Sequence, residues 1–151
     1  MQYFGNTDLL QRKLTGFLAS RTIQPTSVLA CYDWATSLNA EKDCVVGGFQ
    51  SPIERDVLHF LLKKNIPVII VLARSLYKHI PSELQGAFIE RRVLLISISN
   101  NTRNSNVVAK IRNQYVAELA NSVVFGMLSE ESSIYDIYLK LQETRKPVIR
   151  I

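Results

Sequence analysis

Two adjacent glycines and a helix-start signal lie within residues 47–54 (GGFQSPIE), a combination that could hold an anion. Gly47 and Gly48 allow the backbone to approach a ligand closely, and the helix predicted after Ser51 offers N–H groups and the positive end of its dipole. The order Ser-Pro-x-Glu also fits a capping box. Because the segment is neither a complete G-x-G-x-x-G nor a Walker sequence, a well-capped turn without a ligand is the alternative.

Arginines supply the positive charge that an anion site needs. Arg21 follows Ser20 at the end of another predicted strand, where its planar fork can pair with a phosphate and the serine hydroxyl can add a donor. A later stretch, residues 91–112, holds only basic charges: Arg91, Arg92, Arg103, Lys110 and Arg112. Asn113 follows directly on a predicted helix. A solvated basic face is the alternative explanation for such a run.

The net charge of +5, from 18 basic and 13 acidic residues, is concentrated in the middle of the chain. Residues 51–112 carry ten basic and four acidic side chains, whereas residues 1–50 are balanced and residues 113–151 carry four and five. This distribution is compatible with a polyanionic partner such as nucleic acid.

Few residues are arranged for catalysis or metal binding. His59 and His79 have no further ligand at metal-binding spacing, and Cys31 and Cys44 are too few for a disulfide framework. No G-x-S-x-G elbow is present, and capping is a sufficient role for Glu54. We therefore expect no metal and no cofactor, assign no catalytic residue, and favour a binding protein over an enzyme.

Three aromatic side chains, Trp34, Phe49 and Tyr77, are candidates for stacking on a nucleobase. Trp34 lies within a predicted helix, where packing in the core is the more common role of such a residue. Phe49 lies in the glycine turn itself, so we include it among the candidate ligand-binding residues.

Six apolar runs predict strands at residues 14–19, 44–49, 67–73, 93–97, 122–127 and 147–151. Several are continuous rather than alternating, which is typical of parallel strands covered on both faces. Segments with helical spacing lie between or beside them, at residues 25–38, 51–64, 81–92, 105–120 and 132–144. This order predicts an α/β fold with a mostly parallel six-stranded sheet, whose ligands bind at the carboxyl ends of the strands.

The chain has 151 residues, of which 47% are apolar and 21% charged, enough for one sizeable core. We expect a single domain over residues 1–151. The longest apolar run, residues 66–73, is too short to span a membrane, and no signal-peptide pattern is visible. We therefore expect a cytoplasmic protein without a membrane contact.

Four stretches of the chain form a recognisable series: residues 16–21 (GFLASR), 45–62 (VVGGFQSPIERDVLHFLL), 67–74 (PVIIVLAR) and 110–125 (KIRNQYVAELANSVVF). The series resembles the DNA-processing protein A (DprA/Smf) family, which belongs to the SLOG superfamily of nucleotide- and nucleic-acid-handling domains. The family pattern has a Ser-Arg pair after one strand, a glycine turn after the next and a later Arg-Asn pair on a helix. Here these are Ser20 and Arg21, Gly47 and Gly48, and Arg112 and Asn113.

The resemblance implies a Rossmann-like three-layer α/β/α fold that binds single-stranded DNA or a nucleotide through phosphate contacts. It also implies a homodimer and a partner protein in recombination or DNA processing. The predicted ligand-binding residues are Ser20, Arg21, Gly47, Gly48, Phe49, Ser51, Arg103, Arg112 and Asn113, with Arg103 added from the charge pattern alone. The chain departs from the family where Ala19 replaces the usual glycine and where residues 129–133 (SEESS) replace a Ser-Gly segment.

Two alternatives use the same fold. One is a sensor that binds a nucleotide-derived signal, which needs the phosphate turns but no catalytic group. The other is an enzyme similar to the phosphoribohydrolases of the same superfamily, which cleave nucleoside monophosphates with the glutamate of a P-G-G-x-G-T-x-x-E segment. A complete segment of this kind is absent from the sequence.

Overall fold

The fold is a single sheet covered by helices. The structure is a computed structural model, and it describes residues 1–101 and 105–151. Seven strands are found in these residues: β1 Gln2–Gly5, β2 Leu14–Ala19, β3 Cys44–Gly47, β4 Val68–Leu72, β5 Val93–Ser97, β6 Ser122–Gly126 and β7 Val148–Arg150. Their order across the sheet is β1-β5-β4-β3-β2-β6-β7. All neighbouring pairs are parallel except β1 and β5.

In the described part of the chain, five α-helices lie on the two faces of the sheet: α1 Pro25–Ser37, α2 Pro52–Lys63, α3 Ser82–Ile89, α4 Asn106–Leu119 and α5 Ile134–Gln142. A short 3-10 helix, Thr7–Gln11, precedes β2. Alternate residues of β2 divide the core, since Phe17 packs with α1, α2 and α3 and Leu18 packs with α4 and α5. The predicted three-layer α/β/α architecture is therefore confirmed.

The sheet has one strand more than the six predicted. The additional strand, β1, pairs antiparallel with β5 at the edge of the sheet, and all four of its residues are exposed. An edge strand is held by backbone hydrogen bonds on one side and does not require the buried apolar run that marks the inner strands. The sequence at Gln2–Gly5 therefore lacks the pattern used to predict the others.

The strand predicted at residues 44–49 ends earlier than expected. β3 stops at Gly47, and Phe49 adopts a φ of 52°, in the left-handed region that is unfavourable for most residues. This conformation turns the chain away from the sheet and into α2. The capping box predicted at the start of α2 is confirmed, with the Ser51 hydroxyl accepting from the Glu54 N–H and the Glu54 carboxylate accepting from the Ser51 N–H.

The strand order places a crevice next to β2. From β2 the chain proceeds to β3 on one side and continues outward to β5, and then crosses back so that β6 lies on the other side of β2. Such a reversal of strand order is where open α/β sheets bind ligands, at the carboxyl ends of the strands. Among the described residues, no helix is both long enough and apolar enough to span a bilayer.

The core on the α2 face yields a first prediction, for the stability of the fold. Leu61 is fully buried, whereas Leu29 on α1 is 67% exposed. Leu61→Ala should lower the free energy of unfolding by about 2 to 5 kcal/mol, because it leaves a cavity. Leu29→Ala, the matched control, should change it by about 0.5 kcal/mol or less. Urea denaturation followed by circular dichroism measures both, and equal losses would contradict the packing described.

Candidate functional site

A cleft of about 430 Å³ opens at the carboxyl edge of the sheet. It is bounded by the segments that follow β2 and β3 and by the first turns of α4 and α5. We call it the carboxyl-edge cleft. Five of the predicted ligand-binding residues line it: Ser20, Arg21, Ser51, Arg112 and Asn113. The sequence-based placement of these residues at one edge agrees with the geometry, while their contact with a ligand stays a prediction.

One face of α4 forms a wall of the carboxyl-edge cleft. Asn106, Lys110 and Asn113 line the cleft and recur at the spacing of a single helix face. Ser105 caps the helix by accepting a hydrogen bond from the Val108 N–H at 3.2 Å. The positive end of the α4 dipole therefore lies beside the cleft and favours an anion there.

Arg112 is the buried cation of the cleft, with 5% of its surface exposed. Its side chain lies against Gly48, where an added Cβ would come within 2.8 Å of Cδ and Cζ. Its Nε donates to Oδ1 of Asn113 at 3.3 Å. Burial lowers the pKa of Arg112, Glu54 opposes this shift and Arg21 adds to it. An arginine stays charged in spite of such a shift, so the cleft keeps a desolvated positive charge.

Arg21 brings a second positive charge to the same cleft. Its side chain is exposed, and it is close enough to Arg112 to lower the pKa of that residue. Within residues 1–101 and 105–151, the side-chain ion pairs are Arg91 with Asp8 and Arg92 with Glu90, so neither cleft arginine has a carboxylate within 4.0 Å. Two like charges that are not engaged in an ion pair are stabilised by an anion placed between them.

Glu54 is the acidic group of the cleft and is almost completely buried. Its carboxylate accepts hydrogen bonds from the N–H groups of Ala19 at 2.9 Å, Gln50 at 3.0 Å and Ser51 at 3.1 Å. Three of the roughly four acceptor positions of a carboxylate are thereby used. These contacts join the end of β2 to the start of α2, which supports a structural role rather than that of a general base.

The glycine turn differs from the expected phosphate site. The N–H groups of Gln50 and Ser51 donate to Glu54, and the Glu54 N–H donates to the Ser51 hydroxyl at 3.4 Å. An external phosphate would therefore have to displace an internal acceptor at this turn. Gly48 makes room for the side chain of Arg112, which occupies the space expected for a ligand.

Several predicted site residues have roles within the fold. Phe49 is 3% exposed and packs in the core on the α2 face, so the expectation that it stacks on a nucleobase is wrong for this conformation. Gly47 is buried between the Phe17 carbonyl and the Phe49 ring and does not line the cleft. The Ser20 hydroxyl donates within the protein, with the Met127 and Thr22 carbonyls as acceptors. Arg103 lies outside the described residues.

The structure also adds residues that were not among the predicted ligand-binding residues. Gln50, Asn106, Lys110, Ser132 and Ser133 line the cleft. The helical spacing of Asn106, Lys110 and Asn113 was readable in the sequence, but only the fold shows which helix face points to the sheet edge. In the described part of the chain, no group of three or more His, Cys, Asp or Glu side chains could hold a metal ion.

The sequence profile of the family described as DNA recombination-mediator protein A matches residues 1–146. The chain belongs to this family. No protein of curated function is similar enough in sequence to count as a match. The chain's similarity to solved structures lies below 20% sequence identity and reports on the fold alone.

Two solved structures of DNA processing protein A share this fold. That of Helicobacter pylori, described for its single-stranded DNA binding mode, is 19% identical, with a TM-score of 0.76, and the match covers 98% of this chain and 69% of the other. That of Streptococcus pneumoniae is 18% identical, with a TM-score of 0.79, covering 98% of this chain and 53% of the other. The chain thus spans about half to two thirds of these relatives.

A third similar structure is the molybdenum cofactor binding protein of Rippkaea orientalis. It is 14% identical, with a TM-score of 0.63, and the match covers 92% of this chain and 76% of that protein. The fold of this DNA recombination-mediator protein A member is therefore also similar to that of a protein named for binding the molybdenum cofactor.

The contact between Gly48 and Arg112 yields a second prediction. Gly48→Ala should lower the free energy of unfolding by about 1 to 3 kcal/mol, because the new Cβ overlaps the Arg112 side chain. The matched control is Gly86→Ala in α3, where nothing lies within 4 Å and alanine should stabilise the helix by about 0.5 to 1 kcal/mol. Chemical denaturation compares the two, and a neutral Gly48→Ala would show that Arg112 does not rest on this glycine.

Proposed function

We propose that this member of the DNA recombination-mediator protein A family binds single-stranded DNA through phosphate contacts in the carboxyl-edge cleft. The observation that carries the proposal is the convergence of Arg21 and Arg112 in one cleft, without a carboxylate within 4.0 Å among the described residues. A phosphate between the two guanidinium groups relieves their repulsion and forms charge-assisted hydrogen bonds.

The two arginines have different parts in this binding. Arg112 is fixed by Gly48 and Asn113 and is already desolvated, so little ordering is needed when it binds a phosphate. Arg21 is exposed and contributes to the attraction of a polyanion from solution. The N-terminus of α4 and the Lys110 side chain add positive potential from the opposite wall.

The polar lining suits recognition of the nucleic-acid backbone. Gln50, Asn106 and Asn113 place amide groups around the cleft that can contact sugars or base edges. No aromatic side chain lines the cleft in the described residues, so stacking inside it is not part of the proposal. Binding should therefore depend weakly on base sequence and strongly on salt.

A sensor of a nucleotide-derived signal is the second candidate. The cleft volume of about 430 Å³ lies within the range of small-molecule sites, and a single phosphorylated nucleoside would engage both arginines. Titration with dTMP alongside oligo-dT separates the two, because a sensor binds the mononucleotide at least as tightly as the strand.

An enzyme acting on nucleoside monophosphates is less well supported. Residues 47–54 keep the two glycines and the glutamate of the phosphoribohydrolase segment, but Gln50 and Ser51 replace its third glycine and its threonine. The carboxylate of Glu54 is engaged by three backbone N–H groups. Incubation with nucleoside monophosphates and detection of free base tests this reading directly.

Homodimer formation and a partner protein in recombination or DNA processing also belong to the proposal. They rest on membership of the family rather than on a contact within this chain. Light scattering of the purified protein measures the first, and a monomer at all concentrations would contradict it.

Binding of labelled oligo-dT at several salt concentrations gives the third prediction. Arg21→Gln should weaken binding by about 1 to 3 kcal/mol, because it removes a charge-assisted phosphate contact. It should also lower the slope of log affinity against log salt concentration by about 0.7, the value for one single-strand phosphate. Arg112→Lys should weaken binding as well, since lysine keeps the charge but loses the planar fork.

Arg145→Gln is the matched control for this experiment. Arg145 is exposed and precedes β7, so it lies at the opposite edge of the sheet and loses the same charge. Its affinity for oligo-dT should stay close to that of the unmodified protein. The proposed binding site would be contradicted if the protein did not bind oligo-dT even at low salt. It would also be contradicted if Arg21→Gln and Arg145→Gln lost equal affinity for oligo-dT.

A further inference from the structure

A second cationic group is present at the carboxyl edge of the sheet, outside the cleft. Arg74 follows β4, and its guanidinium carbon lies over the Tyr77 ring, 4.9 Å from the ring centroid. A guanidinium held against an aromatic ring is an attractive cation–π arrangement. Arg74 is half-buried, and neither residue lines the carboxyl-edge cleft.

The segment that carries this pair is fixed to the sheet. The Ser97 hydroxyl, at the end of β5, donates to the Arg74 carbonyl at 2.6 Å. The Ser75 N–H donates to the Asn101 carbonyl at 2.7 Å, and Nε of Arg74 donates to the Ser75 carbonyl at 3.2 Å. The backbone of Arg74 is therefore tied to the neighbouring strand, and its guanidinium is held by contacts within its own loop.

The charge of Arg74 is not balanced by a nearby acid. In the residues that the structure describes, no carboxylate lies within 4.0 Å of it, and Nε makes its only side-chain hydrogen bond. The sequence from residue 57 to residue 82 contains no Asp or Glu at all, while Lys78 follows in the same loop. A preorganised arginine of this kind is suited to bind an anion from outside.

The position of Arg74 relative to the cleft fits a continuous strand of nucleic acid. β4 and β2 are separated only by β3, so their carboxyl ends lie two strand spacings apart, roughly 10 Å. Gln50, which follows β3 and lines the cleft, lies between the two groups. Stacked nucleotides advance by about 3.4 Å each, so about three nucleotides would cover this distance.

From this geometry we infer that Arg74, positioned by Tyr77, forms a second phosphate subsite for single-stranded nucleic acid that leaves the carboxyl-edge cleft across the end of β3. The inference rests on the proposed function, because it concerns the path of the strand held in the cleft. The inference distinguishes a mononucleotide from a longer strand by the protein groups that each would contact. A mononucleotide engages the cleft alone, whereas a longer strand also engages Arg74.

The test compares dTMP and dT12 as ligands of the Arg74→Gln variant. Its affinity for dT12 should fall about tenfold, the equivalent of one charge-assisted hydrogen bond. The slope of log affinity against log salt concentration should fall by about 0.7. Its affinity for dTMP should stay within about twofold of that of the unmodified protein, because the variant leaves the cleft arginines intact.

The positioning role of Tyr77 is tested by a pair of substitutions. Tyr77→Leu removes the ring beneath Arg74 and should weaken dT12 binding about threefold, within the range of an exposed cation–π contact. Tyr77→Phe keeps the ring and should restore the affinity. Thermal unfolding of both variants shows whether the fold is retained, and the Arg145→Gln protein serves again as the control for loss of a charge.

The outcomes separate the inference from the proposed function. If Arg21→Gln weakens dT12 binding and Arg74→Gln does not, the cleft binds DNA and the second subsite is wrong. Equal losses of dTMP and dT12 affinity in Arg74→Gln would also overturn the subsite, because they would indicate a disturbed cleft. If the unmodified protein does not bind dT12 at low salt, both the function and the subsite fail.

Discussion

The carboxylate of Glu54 is the contact on which the arrangement of the cleft depends. By accepting the N–H groups of Ala19, Gln50 and Ser51, it joins the end of β2 to the turn that starts α2. Without an acceptor, the N–H groups of Ala19 and Ser51 would be buried and unpaired, each at a cost of about 1 to 3 kcal/mol, and the part-buried N–H of Gln50 would lose its partner. The same carboxylate opposes the pKa shift of Arg112 and so helps to keep a cation buried beside it.

The contact between Arg112 and Gly48 is a second constraint on the cleft, because it joins α4 to the turn after β3. Gly48 has no side chain, and Arg112 from α4 lies against it, so that a helix from late in the chain is seated on a turn from its first third. The positive charge of Arg112 is thus held beside a surface to which Arg21 also contributes. Fold and charge are linked here, because Arg112 is one of the buried residues of α4 and also contributes positive charge to the cleft.

Much of the fold could be predicted from the sequence. Continuous apolar runs mark β4 and β5 because both of their faces are covered, and the Ser-Pro-x-Glu order marks the start of α2. The edge strand β1 was missed, since its exposed residues carry no such pattern. In the site, the arginines were found through their position after strands and within a basic segment. The burial of Phe49 was not, because a turn residue can point to either side of the chain.

The sequence by itself determined the α/β class, the family and the concentration of positive charge between residues 51 and 112, because these follow from composition and from patterns local to the chain. Only the tertiary structure decided what the glycine turn does. Spacing suggested a cradle for a phosphate, yet the N–H groups of Gln50 and Ser51 donate to Glu54, and Gly48 receives Arg112. The physical reason is that hydrogen-bond partners and close contacts depend on strand order, which brings together segments that are far apart in sequence.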